Sequence, residues 1–191
     1  MDTELMLDVG QANEFKLACR RAGYTNADIK KMCEGSVLAQ VLPVVRGNGE
    51  VTVVRHLIDC DADPFTRDGW RVEEHKKHGR EFDWDEGKKI NLYLSQNQQD
   101  GKVIRGNKLR TELSKKAALN ANVLDYLLAH PDLIPEGWNG KAIFFWGTIY
   151  RYSDGDLCVR CLCFGGGRWR WDDDWLGGGW GDLDPAALLA S

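Results

Sequence analysis

Residues 165–191, GGGRWRWDDDWLGGGWGDLDPAALLAS, set four tryptophans in a run otherwise made almost wholly of Gly, Asp and Arg. An indole contributes a few kcal/mol of stabilisation when it leaves water, so rings this frequent are expected against a core. Gly and Asp triplets, in contrast, weaken a strand. Extended backbone reconciles the two. Trp169, Trp171 and Trp175 share one parity, while Arg170, Asp172 and Asp174 share the other. Trp180 has the opposite parity, and a bend through Gly177, Gly178 and Gly179 absorbs the shift. One face is thereby anchored by indoles and the other left free to vary, since exposed substitutions typically cost within about 0.5 kcal/mol.

Upstream, QANEFKLACRRA at 11–22 has helix composition with Gly23 suited to the C-terminal cap, and TNAD at 25–28 reads as a capping box opening a second helix through Glu34. Pro43 is expected to stop any helix in SVLAQVLPVV. GNGEVTVVRHLIDC at 47–60 reads as a turn and a strand, and INLYLS at 90–95 as another strand. GNKLRTELSKKA and NANVLDYLLAH read as helices, the latter capped by Asn120 or Asn122 with Pro131 just past its end. KAIFFWGTIYRY, the turn SDGD and LCVRCLCF form a hairpin signal. The expected class is α+β: a helical segment over residues 1–46, then one domain over 47–191 whose final strands end the chain.

At 191 residues and 43% hydrophobic, the chain has enough apolar content for a core without disulfides or metal. No stretch reaches the roughly 18 apolar residues of a membrane helix. The opening MDTELMLDVG is acidic and lacks the basic and apolar regions of a secretion signal, so a cytoplasmic location is expected, with surface display left open. The net charge of −4 is concentrated in residues 153–191, where seven Asp face three Arg. Nucleic acid is not the expected partner of such a surface, because phosphates require Lys and Arg. A helix-turn-helix reading of the first two helices is the alternative, weakened by acids that match the basic residues there.

Cys19, Cys33 and Cys60 read as buried thiols. Cys158-x-x-Cys161-x-Cys163 suggests a metal, but no second Cys or His pair follows at zinc-site spacing, and Cys158 and Cys161 would point to opposite strand faces. A Cys-cluster metalloprotein is the second alternative. DCDADPFTRDGW fails as a calcium loop, because Pro64 and Trp70 occupy the positions that need Gly and Glu. Three successive Asp at 172–174 cannot easily converge on one ion from an extended chain. Ser153 has no nucleophile elbow, and no Gly-rich loop leads into a helix. Neither catalysis nor a cofactor is expected, and no metal is assigned.

From residue 152 onward there is no Lys, Glu, Gln, Met or Ile. Random replacement of adenine in Asn codons (AAY) yields Asp, Gly, Arg, Leu or Phe but never Lys, Glu, Gln, Met or Trp. Tyr codons (TAY) yield Cys, Phe or Ser. Trp, encoded by TGG, would be untouched. The Asp and Gly triplets, Arg170, Leu183 and the clustered cysteines fit that pattern.

GGRWxWxxxWLxxxWxxxxPAALxAS, preceded by FFWGTIYRYSDGDLCVR, resembles the C-terminal region of the variable proteins of diversity-generating retroelements. LIDCDADPF, NANVLDYLLAHPDLIPEGW and MLDVGQANEFK extend the likeness to small proteins of bacteria and archaea with reduced genomes. The resemblance implies a C-type lectin fold of the formylglycine-generating-enzyme type with a variable region over about 158–184. Its diversified, ligand-binding positions would be Cys158, Cys161, Cys163, Phe164, Gly165, Arg170, Asp172, Asp173, Asp174, Gly177, Gly178, Gly179, Gly181, Asp182, Leu183 and Asp184. The scaffold would comprise Gly166, Gly167, Arg168, Trp169, Trp171, Trp175, Leu176, Trp180 and Pro185. The implied partner is a protein or other macromolecule; because the surface is acidic, Gly-rich and poor in aromatic or Arg anchors, this particular sequence is expected either to bind weakly or to bind a basic partner.

Overall fold

The computed structural model describes residues 6–34, 36–52, 54–79, 81–84 and 90–190. The chain divides into two compact units, Met1–Val54 and Arg55–Ser191, the division falling within the irregular stretch after residue 46 rather than at its start.

The first unit holds α1 (Val9–Arg21), α2 (Asn26–Cys33) and α3 (Val37–Val45). Gly23, at φ +84°, closes α1 in a Schellman arrangement, its N–H donating to Arg20 O while Tyr24 N–H reaches Cys19 O. Thr25 and Asp28 form the expected capping box of α2. Pro43 does not end α3, which runs on to Val45. The only main-chain bond it removes would go to the carbonyl of the exposed Ala39, which water can satisfy. No residue of these three helices is buried. Of the thiols expected in a core, Cys60 is buried, but Cys19 is half-buried and Cys33 exposed, and none of the described residues of this unit is buried.

The second unit is mixed α+β, its main sheet curled into a half-barrel. Its strands are β1 (Leu57–Asp59), β2 (Arg71–His75), β3 (Glu81–Asp83), β4 (Ile90–Tyr93), β5 (Ile104–Arg105), β6 (Ile143–Phe144), β7 (Thr148–Arg151), β8 (Leu157–Gly165), β9 (Arg168–Trp175), β10 (Gly179–Trp180) and β11 (Ala186–Leu189). Helices α4 (Gly106–Leu113) and α5 (Ala121–Ala129) precede the strong hairpin region. The seven-stranded sheet runs β2-β7-β8-β6-β11-β4, with β9 on the other edge of β8. β1 pairs with β3, and β5 with β10, outside it.

Two expectations need correction. The strand foreseen within 47–60 shrinks to β1, since Val51 and Val54 before it stay exposed. The long strand foreseen over 141–152 is cut into β6 and β7. Gly147 lies between them, donating to Leu119 O at 2.8 Å, and a Cβ there would meet the backbone of residues 118–120 at 2.7 Å. That close approach interrupts the ladder.

At β6 and the middle of β8 the sheet is buried on both faces. Ile143 opposes Leu162 and Phe144 opposes Cys161. Ile143 and Leu162 pack with Val123, Leu124, Leu127 and Trp138, whereas Phe144 and Cys161 pack with Leu109, Leu113, Trp146 and Trp180. This explains why LCVRCLCF reads as nearly continuous apolar sequence rather than as alternation. β11 lies between β6 and β4, so the chain's last strand is an interior one.

Candidate functional site

β8 and β9 form the longest paired segment, in register from Cys158 opposite Trp175 to Gly165 opposite Arg168. Gly166 (φ +62°) and Gly167 (φ +78°) make its two-residue turn. Positive φ at both positions is the type I′ geometry that matches strand twist, which only Gly and a few polar residues adopt cheaply.

Side chains on β9 alternate through most of its length. Trp169, Trp171 and Asp173 are half-buried, while Arg168, Arg170, Asp172 and Asp174 are exposed. Trp169 packs edge-on against Phe164, with centroids 5.3 Å apart. Trp171 lies between Phe65 and Trp70, each about 6.2 Å away, with the Arg160 guanidinium 4.7 Å from its ring. Trp180 is fully buried against Phe144 and Trp146. Trp175 departs from the expected inward set: its residue is 46% exposed, because β9 ends there and its ring folds over Gly177.

The aspartate triplet divides its work. Leu176 N–H donates to Leu157 O, so alternation turns the N–H groups of Asp173 and Trp175 to the free edge of β9. There they donate to the carboxylates of Asp172 (3.0 Å) and Asp174 (2.7 Å). Asp173 instead accepts from the Tyr152 hydroxyl. Burial raises its carboxyl above the ordinary value, partly offset by that hydrogen bond, and burial likewise pushes the Tyr152 hydroxyl up.

Of the expected ligand-facing residues, Cys158 and Cys161 are corrected: both are fully withdrawn into packing, on opposite faces of β8. Burial pushes the Cys158 thiol up to about 12 and raises Cys161 as well, leaving both as inert thiols rather than thiolates. Cys163 is half-buried, its thiol donating to Arg170 O. Among the described residues no three His, Cys, Asp or Glu side chains converge as a metal site. Phe164 is 42% exposed, on the face of Trp169 rather than that of Arg170.

After β9 the chain turns through Gly177 and Gly178, both half-buried, to the exposed Gly179. A Cβ on Gly177 would strike the Trp175 ring, and one on Gly179 would meet Val103, so side chains there require those neighbours to swing away. Gly165 and Gly181 have room for a Cβ. Asp182 and Leu183 are exposed, whereas Asp184 is half-buried and closes the turn by accepting from Gly181 N at 2.8 Å. Burial raises the Asp184 carboxyl, with Asp174 and Asp182 adding repulsion, which places all three acids in one field.

Three positioning residues escaped the sequence reading. Gln98 is fully buried, and its amide donates to Gly181 O and Asp184 O, pinning the terminal loop. Arg105 holds Gly177 O at 2.6 Å. Arg160, only 1% exposed, makes a two-pronged bond to Asp125 at 2.6 and 3.0 Å beneath Trp171. A polar residue inside an apolar strand was the available signal for Arg160. Nothing local marked Gln98 or Arg105.

The fold and this hairpin define an α+β chain that carries a rigid two-stranded ribbon with a polar outer face. Compared with known proteins, it matches no family model, and no curated protein or solved structure matches it. Among the described residues no helix is long and apolar enough to cross a membrane.

Proposed function

We propose that the chain is a ligand-binding module, the variable protein of a diversity-generating retroelement built on a C-type lectin scaffold, with no catalysis of its own. The observation that carries this reading is the division of labour on β9. Its backbone is fixed through eight registered pairs to β8 and by half-buried indoles, while Arg170, Asp172 and Asp174 project outward. Rewriting those positions leaves the packing beneath them intact. The binding surface comprises these three with Cys163, Gly181, Asp182 and Leu183, flanked by Phe164 and Trp175. Cys158, Cys161 and Asp184 belong to the support. A stiff strand that displays exchangeable side chains loses less conformational freedom on binding than loops do.

A display library randomised at Arg170, Asp172, Asp174, Gly181, Asp182 and Leu183 tests the reading. Most members are expected to fold, with stability within about 1 kcal/mol of the parent, and panning against diverse proteins should enrich binders. A matched library at Trp169, Trp171 and Trp180 should be depleted of folded members. Equal loss of folding in both libraries, or folding without any enrichment, would overturn the proposal. At the genetic level, a near-copy of the gene's 3′ end beside a reverse-transcriptase gene, differing only at adenines, is expected.

A further inference from the structure

Beside the tip of the β8–β9 hairpin lies a groove of about 600 Å³, lined by Pro131, Asp132, Ile134, Glu136, Asn139, Phe164 and Trp169. Phe164 and Trp169 form one wall, their rings 5.3 Å apart and inclined at 67°. Asp132 and Glu136, both exposed, stand in the single-turn helices 131–133 and 136–138 and line the same groove. Neither carboxylate has an ion-pair partner among the described residues. Arg168 and Arg170, the cations that flank Trp169 in sequence, have the opposite strand parity and project to the other face of the hairpin.

We infer that this groove takes a cationic side chain, arginine or lysine, from a protein partner. Aromatic rings attract cations through their quadrupole, and carboxylates lining the same groove supply the countercharge. The wall is composite: Trp169 is held by the core beneath it, whereas Phe164 is a position the proposed diversification would rewrite. Phe164 is therefore the specificity-determining residue of this pocket in this particular chain. The assignment deepens the ligand-binding reading and rests on it, since it takes the hairpin to be the surface a partner meets.

The test uses acetylated, amidated tripeptides Gly-X-Gly with X = Arg, Lys, Gln, Leu or Glu, titrated into the intact protein while the Trp169 indole N–H resonance is followed. The Arg and Lys peptides should shift it saturably, and the Gln, Leu and Glu peptides at least about fivefold more weakly. Phe164→Ser, and separately Asp132→Asn with Glu136→Gln, should each weaken the Arg peptide by about fivefold, the carboxylate pair without changing the unfolding midpoint and Phe164→Ser with only a small drop from the lost Trp169 contact. Should a variant misfold, the peptide series on the unaltered protein decides alone. Equal shifts by Gln and Arg peptides, no saturable shift, or variants that bind as the parent does would overturn the inference. Those outcomes leave the ligand-binding reading standing if panned binders still map to the outward face of β9.

Discussion

Arg160 is where residue chemistry and the candidate surface meet. It opposes Asp173 across the β8–β9 ladder, lies under Trp171 and is neutralised by Asp125. Burial alone would lower its pKa, yet the Asp125 hydrogen bonds and charge outweigh that and hold the guanidinium firmly protonated. Removing one partner of such a pair strands the other in a poorly solvated place. Asp125→Ala is therefore expected to destabilise the protein by about 2–4 kcal/mol in urea unfolding, discounted because the Asp125 side chain is 33% exposed. The double variant Asp125→Ala/Arg160→Met should recover part of that loss, because the stranded charge is gone. A double variant less stable than Asp125→Ala would show that Arg160 acts through its stacking on Phe65 and Trp171 instead.

Among elements, α4 and the loop into β10 are fitted by one glycine. A Cβ on Gly106 would lie 2.4 Å from Trp180 Nε1 and 2.7 Å from Leu176 O. The second neighbour is backbone and cannot turn aside. Gly106→Ala should cost about 1–3 kcal/mol, measured as a lowered denaturation midpoint with an unchanged denaturant slope. The elements also divide cleanly into those legible in sequence and those not. Capped helices such as α2, the β7–β8 hairpin and the alternation along β9 announced themselves, because each is set by neighbouring residues. Pro43 inside α3, the break at Gly147 and the exposed Trp175 did not, because solvent access, a distant backbone and the end of a strand decided them. Cys158 and Cys161 were set on the ligand surface by the family resemblance, and a strand buried on both faces offered no alternation to contradict it. The N-cap of α5 was half legible: Asn120 stands there, yet its side chain bonds Cys60 O and Lys76 O, and Thr148 Oγ1 accepts from Ala121 N in its place.

For the whole molecule, the two half-buried carboxyls link stability to pH. Burial raises Asp173 and Asp184 above their reference value of 3.8, so through that window the native state holds more protons than the unfolded chain. Their contribution is complete below pH 3.8 and is lost as pH rises through the folded values. Glu73, held down by Arg151, acts with the opposite sign but at the surface, where its effect is small. Asp173→Asn keeps an oxygen for the Tyr152 hydroxyl, so the variant should gain on the parent as pH climbs from 4 towards neutrality, a trend that thermal unfolding at several pH values would reveal. A parallel pair of curves would refute it. The edge of β9 has a bearing on the proposed exchange of its outer residues. Asp172 and Asp174 turn back upon amides that would otherwise invite a foreign strand. If the chain is diversified as proposed, copies in which both become Gly or Leu would be born adhesive along that border, and self-association would come as a by-product of variety.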